Sequence, residues 1–136
     1  MRKITLLIVH CSAVRTYQTS SAMQIDAWHR ARGWKGIGYH YVVRRDGSIE
    51  NGREEGAIGA HCINHNRHSI GICYEGGLDA KGHPKDTRTP AQKAALLALI
   101  KDLRSRYPKA IVVAYPSIGQ YHHGNKATPA PAKYSR

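Results

Sequence analysis

The stretch that decides how the chain is read is ITLLIVHCSA, residues 4–13. Its first six residues are apolar or β-branched throughout, without the polar residue at every second position that a half-exposed strand would show. They predict a strand covered on both faces. Such strands lie inside parallel or mixed sheets, which need helices packed against them. The run ends at His10 and Cys11, where a rigid strand can hold a reactive side chain at the edge of a cleft. Neighbouring side chains on a strand point to opposite faces, so His10 and Cys11 do not make an adjacent nucleophile–base pair. Cys11 is expected in the core.

Working outward, residues 20–33 predict a helix. Ser20 or Ser21 can cap it, Ile25 and Trp28 fall on one face, and Gly33 ends it. Residues 39–44 and 48–50 predict a hairpin turning at Asp46-Gly47. Residues 68–77 predict a further strand ended by Gly76-Gly77, followed by a polar loop over 79–88. The second helix has the strongest local signal. Thr89 caps it, Pro90 takes its first position, Gln92 completes a capping box, and Leu96, Leu99, Ile100 and Leu103 form its apolar stripe. Residues 110–115 predict the last buried strand, and everything after Tyr115 reads as loop. The order β-α-β-β-β-α-β predicts an α/β fold: one domain over residues 1–136, with a central mixed sheet flanked by helices.

The chain is 136 residues long, which suits one core. Its formal charge of +12 favours an anionic partner. Nucleic acid would satisfy that charge, but no nucleic-acid motif accompanies it, so no nucleic-acid partner is expected. The 4–9 run is too short to span a membrane and is followed by no cleavage site. The expectation is a monomer made in the cytoplasm without a signal peptide and without membrane insertion. Cys11, Cys62 and Cys73 contain no Cys-x-x-Cys pair and do not suggest a disulfide framework. Nine histidines are a high count for this length. Their spacings fit no compact zinc finger, and two readings stay open: a site assembled from distant segments, or histidines that are simply hydrogen-bonded in the fold.

Taken in order, IVHCSA (8–13), WHRARGWKGIGYHYVVRRDGSIENGRE (28–54), IGAHCINHNRHSIGICYEGG (58–77) and TPAQKAALLALIKDL (89–103) resemble the zinc-dependent N-acetylmuramoyl-L-alanine amidases, the phage-lysozyme type that shares its fold with peptidoglycan recognition proteins. The resemblance runs from about residue 4 to about 113 and leaves 114–136 divergent. It implies one Zn2+ ion, with His10 as a ligand, and Tyr39 at the reaction centre. It also implies His61 and Asn66 along the peptidoglycan groove, and Lys126 beside the transition state. The implied activity is hydrolysis of the amide between N-acetylmuramic acid and L-alanine by a phage or prophage lysis enzyme, which reaches the cell wall after release. Zinc suits that chemistry because it acidifies a bound water and polarises the carbonyl.

Two positions depart from the pattern. Tyr115 stands where a second ligand His is implied, with His122 and His123 following only later, and His122 is the candidate substitute. Thr128 stands where the third ligand, a Cys, is implied, and a neutral hydroxyl is a poor replacement for a thiolate. The alternative expectation is therefore a relative that binds peptidoglycan without cutting it.

Overall fold

The computed structural model describes residues 2–115. A five-stranded sheet has the spatial order β3-β2-β4-β1-β5, with β1 Leu6–Cys11, β2 Tyr41–Val43, β3 Ile49–Asn51, β4 Ser69–Tyr74 and β5 Ile111–Ala114. Only the β2–β3 hairpin is antiparallel; β1 pairs in parallel with both β4 and β5, and β2 with β4. The sheet is thus mixed, as the sequence predicts. The doubly covered run sits as the second strand from one edge, with a partner on each side.

Two helices cover the sheet, one on each face. α1, Ala22–Ala31, is capped by Ser21, whose hydroxyl accepts from the Gln24 backbone while the Gln24 side chain answers the cap. Ser20 turns inward instead, and its hydroxyl donates to Ser12 Oγ at 2.7 Å. α2, Pro90–Arg106, has the expected box between Thr89 and Gln92. Strand alternation sorts the core into two layers. Leu7, Val43, Ile70 and Ile72 meet Leu96, Leu99 and Leu103 of α2. On the opposite face Val42 and Cys73 meet Ile25 of α1, together with Ile37 and Tyr39. His10 therefore lies on the α1 face, paired in register with Cys73.

Among the described residues no helix is long and apolar enough to cross a membrane. Four expectations shift in detail. The strand expected to be buried over 110–115 is β5, the last strand of the sheet order, with Ile111 and Val112 exposed. The strand expected over 39–44 begins at Tyr41, because the Gly71 N–H donates to the His40 ring at Nδ1, not to a backbone carbonyl. Ile100 flanks the α2 stripe only partly buried. Cys11 is half-buried and not fully in the core; its Sγ sits 2.4 Å from where a Cβ on Gly77 would be, so the glycine makes room for it.

Candidate active site

His10 is the penultimate residue of β1 and is almost completely buried. Around it stand three rings from distant parts of the chain. Tyr39 lies 5.2 Å away between ring centroids, His61 5.0 Å away edge-on, and Tyr115 4.9 Å away and nearly parallel. Sheet topology explains the convergence. Tyr39 immediately precedes the His40 link into β2, and Tyr115 directly follows β5, its N–H donating to the Val9 carbonyl at 2.8 Å. His29 of α1 adds a fourth ring 5.9 Å from Tyr39, backed by Trp34 at 4.4 Å.

A buried hydrogen-bond chain fixes His10. Its Nε2 lies 2.9 Å from His61 Nδ1, and His61 Nε2 lies 3.2 Å from Ser69 Oγ. If each imidazole donates from Nε2, His10 donates to His61 and His61 to Ser69. Nδ1 of His10 is then left with its lone pair. That nitrogen is buried with no hydrogen-bond partner among the described residues. The Tyr39 hydroxyl is buried beside it with no oxygen or nitrogen partner, only the Cys73 thiol nearby. His29 Nε2 is a third buried atom without a partner among the described residues, but His29 Nδ1 accepts from the Gly38 N–H, so its Nε2 carries the proton and His10 Nδ1 is the one open lone pair of the cluster. Buried polar atoms are nearly always paired, and such a group marks a place prepared for a ligand or reactant.

The backbone is shaped for this arrangement. His61 lies over Gly71 of β4, where a Cβ would come within 2.6 Å of the His61 ring. Glycine inside a strand often marks such a close approach. Asn66 holds the other end: its Oδ1 accepts from the backbone N–H of both His61 and Cys62, each at 2.9 Å. His61 is fully buried and Asn66 nearly so. Both residues implied along the peptidoglycan groove are buried among the described residues, where His61 bonds His10 and Asn66 holds the backbone of His61. Sequence reading missed His29, Ser69 and Gly71; the one local clue was a glycine in the middle of the otherwise apolar strand SIGICY.

Burial governs the protonation of the cluster. Desolvation lowers His10 to about 3 and, with the nearby Arg32 and Arg53 charges, lowers His29 to about 4. Desolvation also carries His61 well below its ordinary value, helped by His10 and His40. All three imidazoles are therefore neutral at neutral pH, as metal ligation or proton acceptance requires. Desolvation raises Tyr39 well above the ordinary phenol, so its hydroxyl keeps its proton and can donate.

As a test of fit to a metal, the described donor set is incomplete. His10 Nδ1 suits a metal, but among the described residues no three His, Cys, Asp or Glu side chains converge to hold one. Tyr115 occupies the place implied for a second imidazole. His122, His123, Lys126 and Thr128 lie outside the described residues.

The Ser69 link gives the first prediction. Ser69→Ala removes the partner of His61, one step behind His10, and is expected to slow the reaction at this site by about tenfold, the lower end of the cost of losing a group that orients a reactive histidine. Leaving the buried His61 Nε2 without its partner should also cost about 1–3 kcal/mol in stability, so the rate is read well below the melting temperature. A rate within twofold of the parent would show that the chain from Ser69 does not set His10.

Comparison with known proteins points one way. Residues 1–131 match the family model described as N-acetylmuramoyl-L-alanine amidase. The chain is 42% identical over 110 residues to the endolysin of Enterobacteria phage K11, covering 81% of this chain and 73% of that protein. It is 39% identical over 112 residues to the endolysin of Escherichia phage T7, covering 82% and 74%. Among solved structures, the endolysine N-acetylmuramoyl-L-alanine amidase LysCS from Clostridium intestinale URNW superposes with a TM-score of 0.77 at 30% identity, over 88% of this chain and 74% of that one.

Proposed function

This chain belongs to the N-acetylmuramoyl-L-alanine amidase family, a peptidoglycan-hydrolysing amidase, and we propose that it works as the zinc-dependent lysis enzyme of a phage or prophage. In this reading it cuts the amide between the lactyl group of N-acetylmuramic acid and L-alanine. The observation that carries the proposal is the buried Nδ1 of His10, without a partner among the described residues, on a ring that neighbours the buried phenol of Tyr39.

His10 is the zinc ligand supplied by the described residues, with His122 as its proposed companion beyond Tyr115. Zinc, when bound, supplies an acidified water and Lewis acidity toward the scissile carbonyl. The chain's own residues do the rest. The Ser69–His61 chain holds the His10 ring and keeps its Nδ1 open. Tyr39, kept protonated by burial, donates to the oxygen that becomes negative as the carbonyl is attacked. Lys126 is proposed as a second donor there.

The anionic wall also finds complementary charge. A depression beside α1 is lined by Arg30, Lys35, Arg53 and Asp26. Arg30 is committed to Asp26 at 2.7 Å, which leaves Lys35 and Arg53 as the excess cations on that wall. A stem-peptide carboxylate suits that balance. Domain extent over residues 1–136, action on the wall after release, and a monomeric state complete the proposal.

The test uses the full chain without an affinity tag. Purified walls should clear in its presence, a zinc chelator should stop clearing, and added Zn2+ should restore it. Metal analysis should find zinc bound to the active protein. Clearing that persists in metal-stripped protein would overturn the zinc dependence. Wall binding without release of L-alanine amino groups, even with zinc added, would favour the binding-only alternative suggested by Thr128.

A further inference from the structure

We propose that His65 and His68 form a second, separate metal site, selective for a borderline divalent transition ion such as Zn2+, Ni2+ or Cu2+, which fastens the segment that carries Asn66.

The pair flanks a short 3-10 helix, Asn66–His68, in which His65 is the capping residue. Side chains three residues apart eclipse one another in this geometry, so the two imidazoles face the same way. His65 Nδ1 and His68 Nε2 lie 3.3 Å apart, with ring centroids separated by 5.4 Å and ring planes nearly perpendicular. Two metal–nitrogen bonds of about 2.0–2.1 Å reaching across that gap meet at roughly 107°, close to the tetrahedral angle. Only one proton can lie between the two nitrogens. A tautomer shift frees both lone pairs, and a cation can then replace that proton with little movement of either ring.

The backbone holds the pair ready. The His65 N–H donates to Cys62 O at 3.0 Å, and the Thr5 N–H donates to His68 O at 2.9 Å. Between them Asn66 is pinned by its two bonds to His61 and Cys62. Both imidazoles are half-buried, which leaves an open side for exchangeable ligands.

The surrounding charge narrows the choice of ion. Arg67 lies between the two histidines, and the Arg2 guanidinium bonds the carbonyls of Asn66, Arg67 and Ser69. With cations nearby and no carboxylate in the pair, Ca2+ and Mg2+ find neither the ligand type nor the charge they need. Imidazole donors suit Zn2+, Ni2+ and Cu2+. The same positive surroundings favour water, chloride or a carboxylate in the remaining positions.

The consequence is mechanical. A metal tying residue 65 to residue 68 restrains Asn66, and Asn66 is the acceptor that holds the backbone of His61. The ion therefore stabilises the segment that orients the active-site pair.

The experiment titrates metal-stripped full chain with Cu2+, followed by electron paramagnetic resonance and calorimetry, with Ca2+ as a control. The parent and His10→Ala should both show a bound Cu2+ with two nitrogen ligands. His65→Gln and His68→Gln, each made in the His10→Ala background so that the active-site metal does not contribute, should bind it at least tenfold more weakly, and should lose the rise in melting temperature that Ni2+ gives His10→Ala. Ca2+ should bind none of them. Unchanged Cu2+ affinity in both glutamine variants, with folding verified by circular dichroism, would overturn the assignment. So would loss of the same two-nitrogen signal in His10→Ala alone.

Discussion

His10→Ala is expected to abolish wall clearing, with a loss on the order of a thousandfold or more, because Lewis-acid activation is worth several kcal/mol of barrier. The residue has no understudy among the described residues. It alone presents an open imidazole lone pair, and the neighbouring rings are committed: His61 to His10 and Ser69, His40 to the Gly71 N–H and the Ala57 carbonyl, and His29 Nδ1 to the Gly38 N–H, which keeps the proton on His29 Nε2. Truncation also leaves His61 Nδ1 buried without its partner, at a cost of about 1–3 kcal/mol in stability. Activity must therefore be read well below the melting temperature. His10→Gln is the control, since it fills the space and can still donate to His61 while binding zinc poorly. If the two variants are equally folded and equally inactive, the ligand role of His10 explains the loss. Clearing within tenfold of the parent for either variant would remove His10 from the reaction.

The architecture of this protein was legible because its strands and helices announce themselves locally. The unbroken apolar run before His10 could only be an inner strand, and Thr89-Pro90 with Gln92 could hardly be anything but a helix start. The competition between Ser20 and Ser21 was decided by tertiary contacts: Ser12 takes the Ser20 hydroxyl, and Ser21 is left to cap. The interior of the site was less legible for the same reason. The family pattern named His10, Tyr39, His61 and Asn66, but the contact of His61 with His10 crosses 51 residues and depends on the missing side chain of Gly71. No periodicity encodes such a contact. Sequence alone also does not tell how deep a polar residue near a site lies, and His61 and Asn66 are both buried.

The largest expected effect on stability comes from Glu75, which no motif singles out. It follows β4 and is only 2% exposed. One carboxylate oxygen accepts from Arg44 Nε at 3.0 Å and from the Arg45 N–H at 2.9 Å, and the other accepts from the Ser20 N–H at 2.7 Å. Its own carbonyl accepts from Gln92 Nε2 at 2.9 Å. A single residue thus joins the hairpin, the entry to α1 and the start of α2. Glu75→Ala strands two backbone donors and the inner side of Arg44, and should cost about 3 kcal/mol, the lower end for a broken buried pair, because Arg44 keeps Glu50 as a partner. The acid limb tests the charge itself. Burial alone would raise the Glu75 carboxyl, but hydrogen bonds from Arg44, Ser20 and Arg45 outweigh it and hold the group below the ordinary glutamate value. A lowered carboxylate contributes stability that is complete above the unfolded value of about 4.3 and disappears as pH falls through the folded one. Urea midpoints should therefore separate parent from Glu75→Ala widely at pH 6 and less at pH 3. The buried neutral histidines also destabilise the fold as pH drops below about 6.5, but they do so in both proteins and cancel in the difference. A gap that stays constant from pH 6 to pH 3 would show that Glu75 acts by packing alone and that its charge contributes nothing.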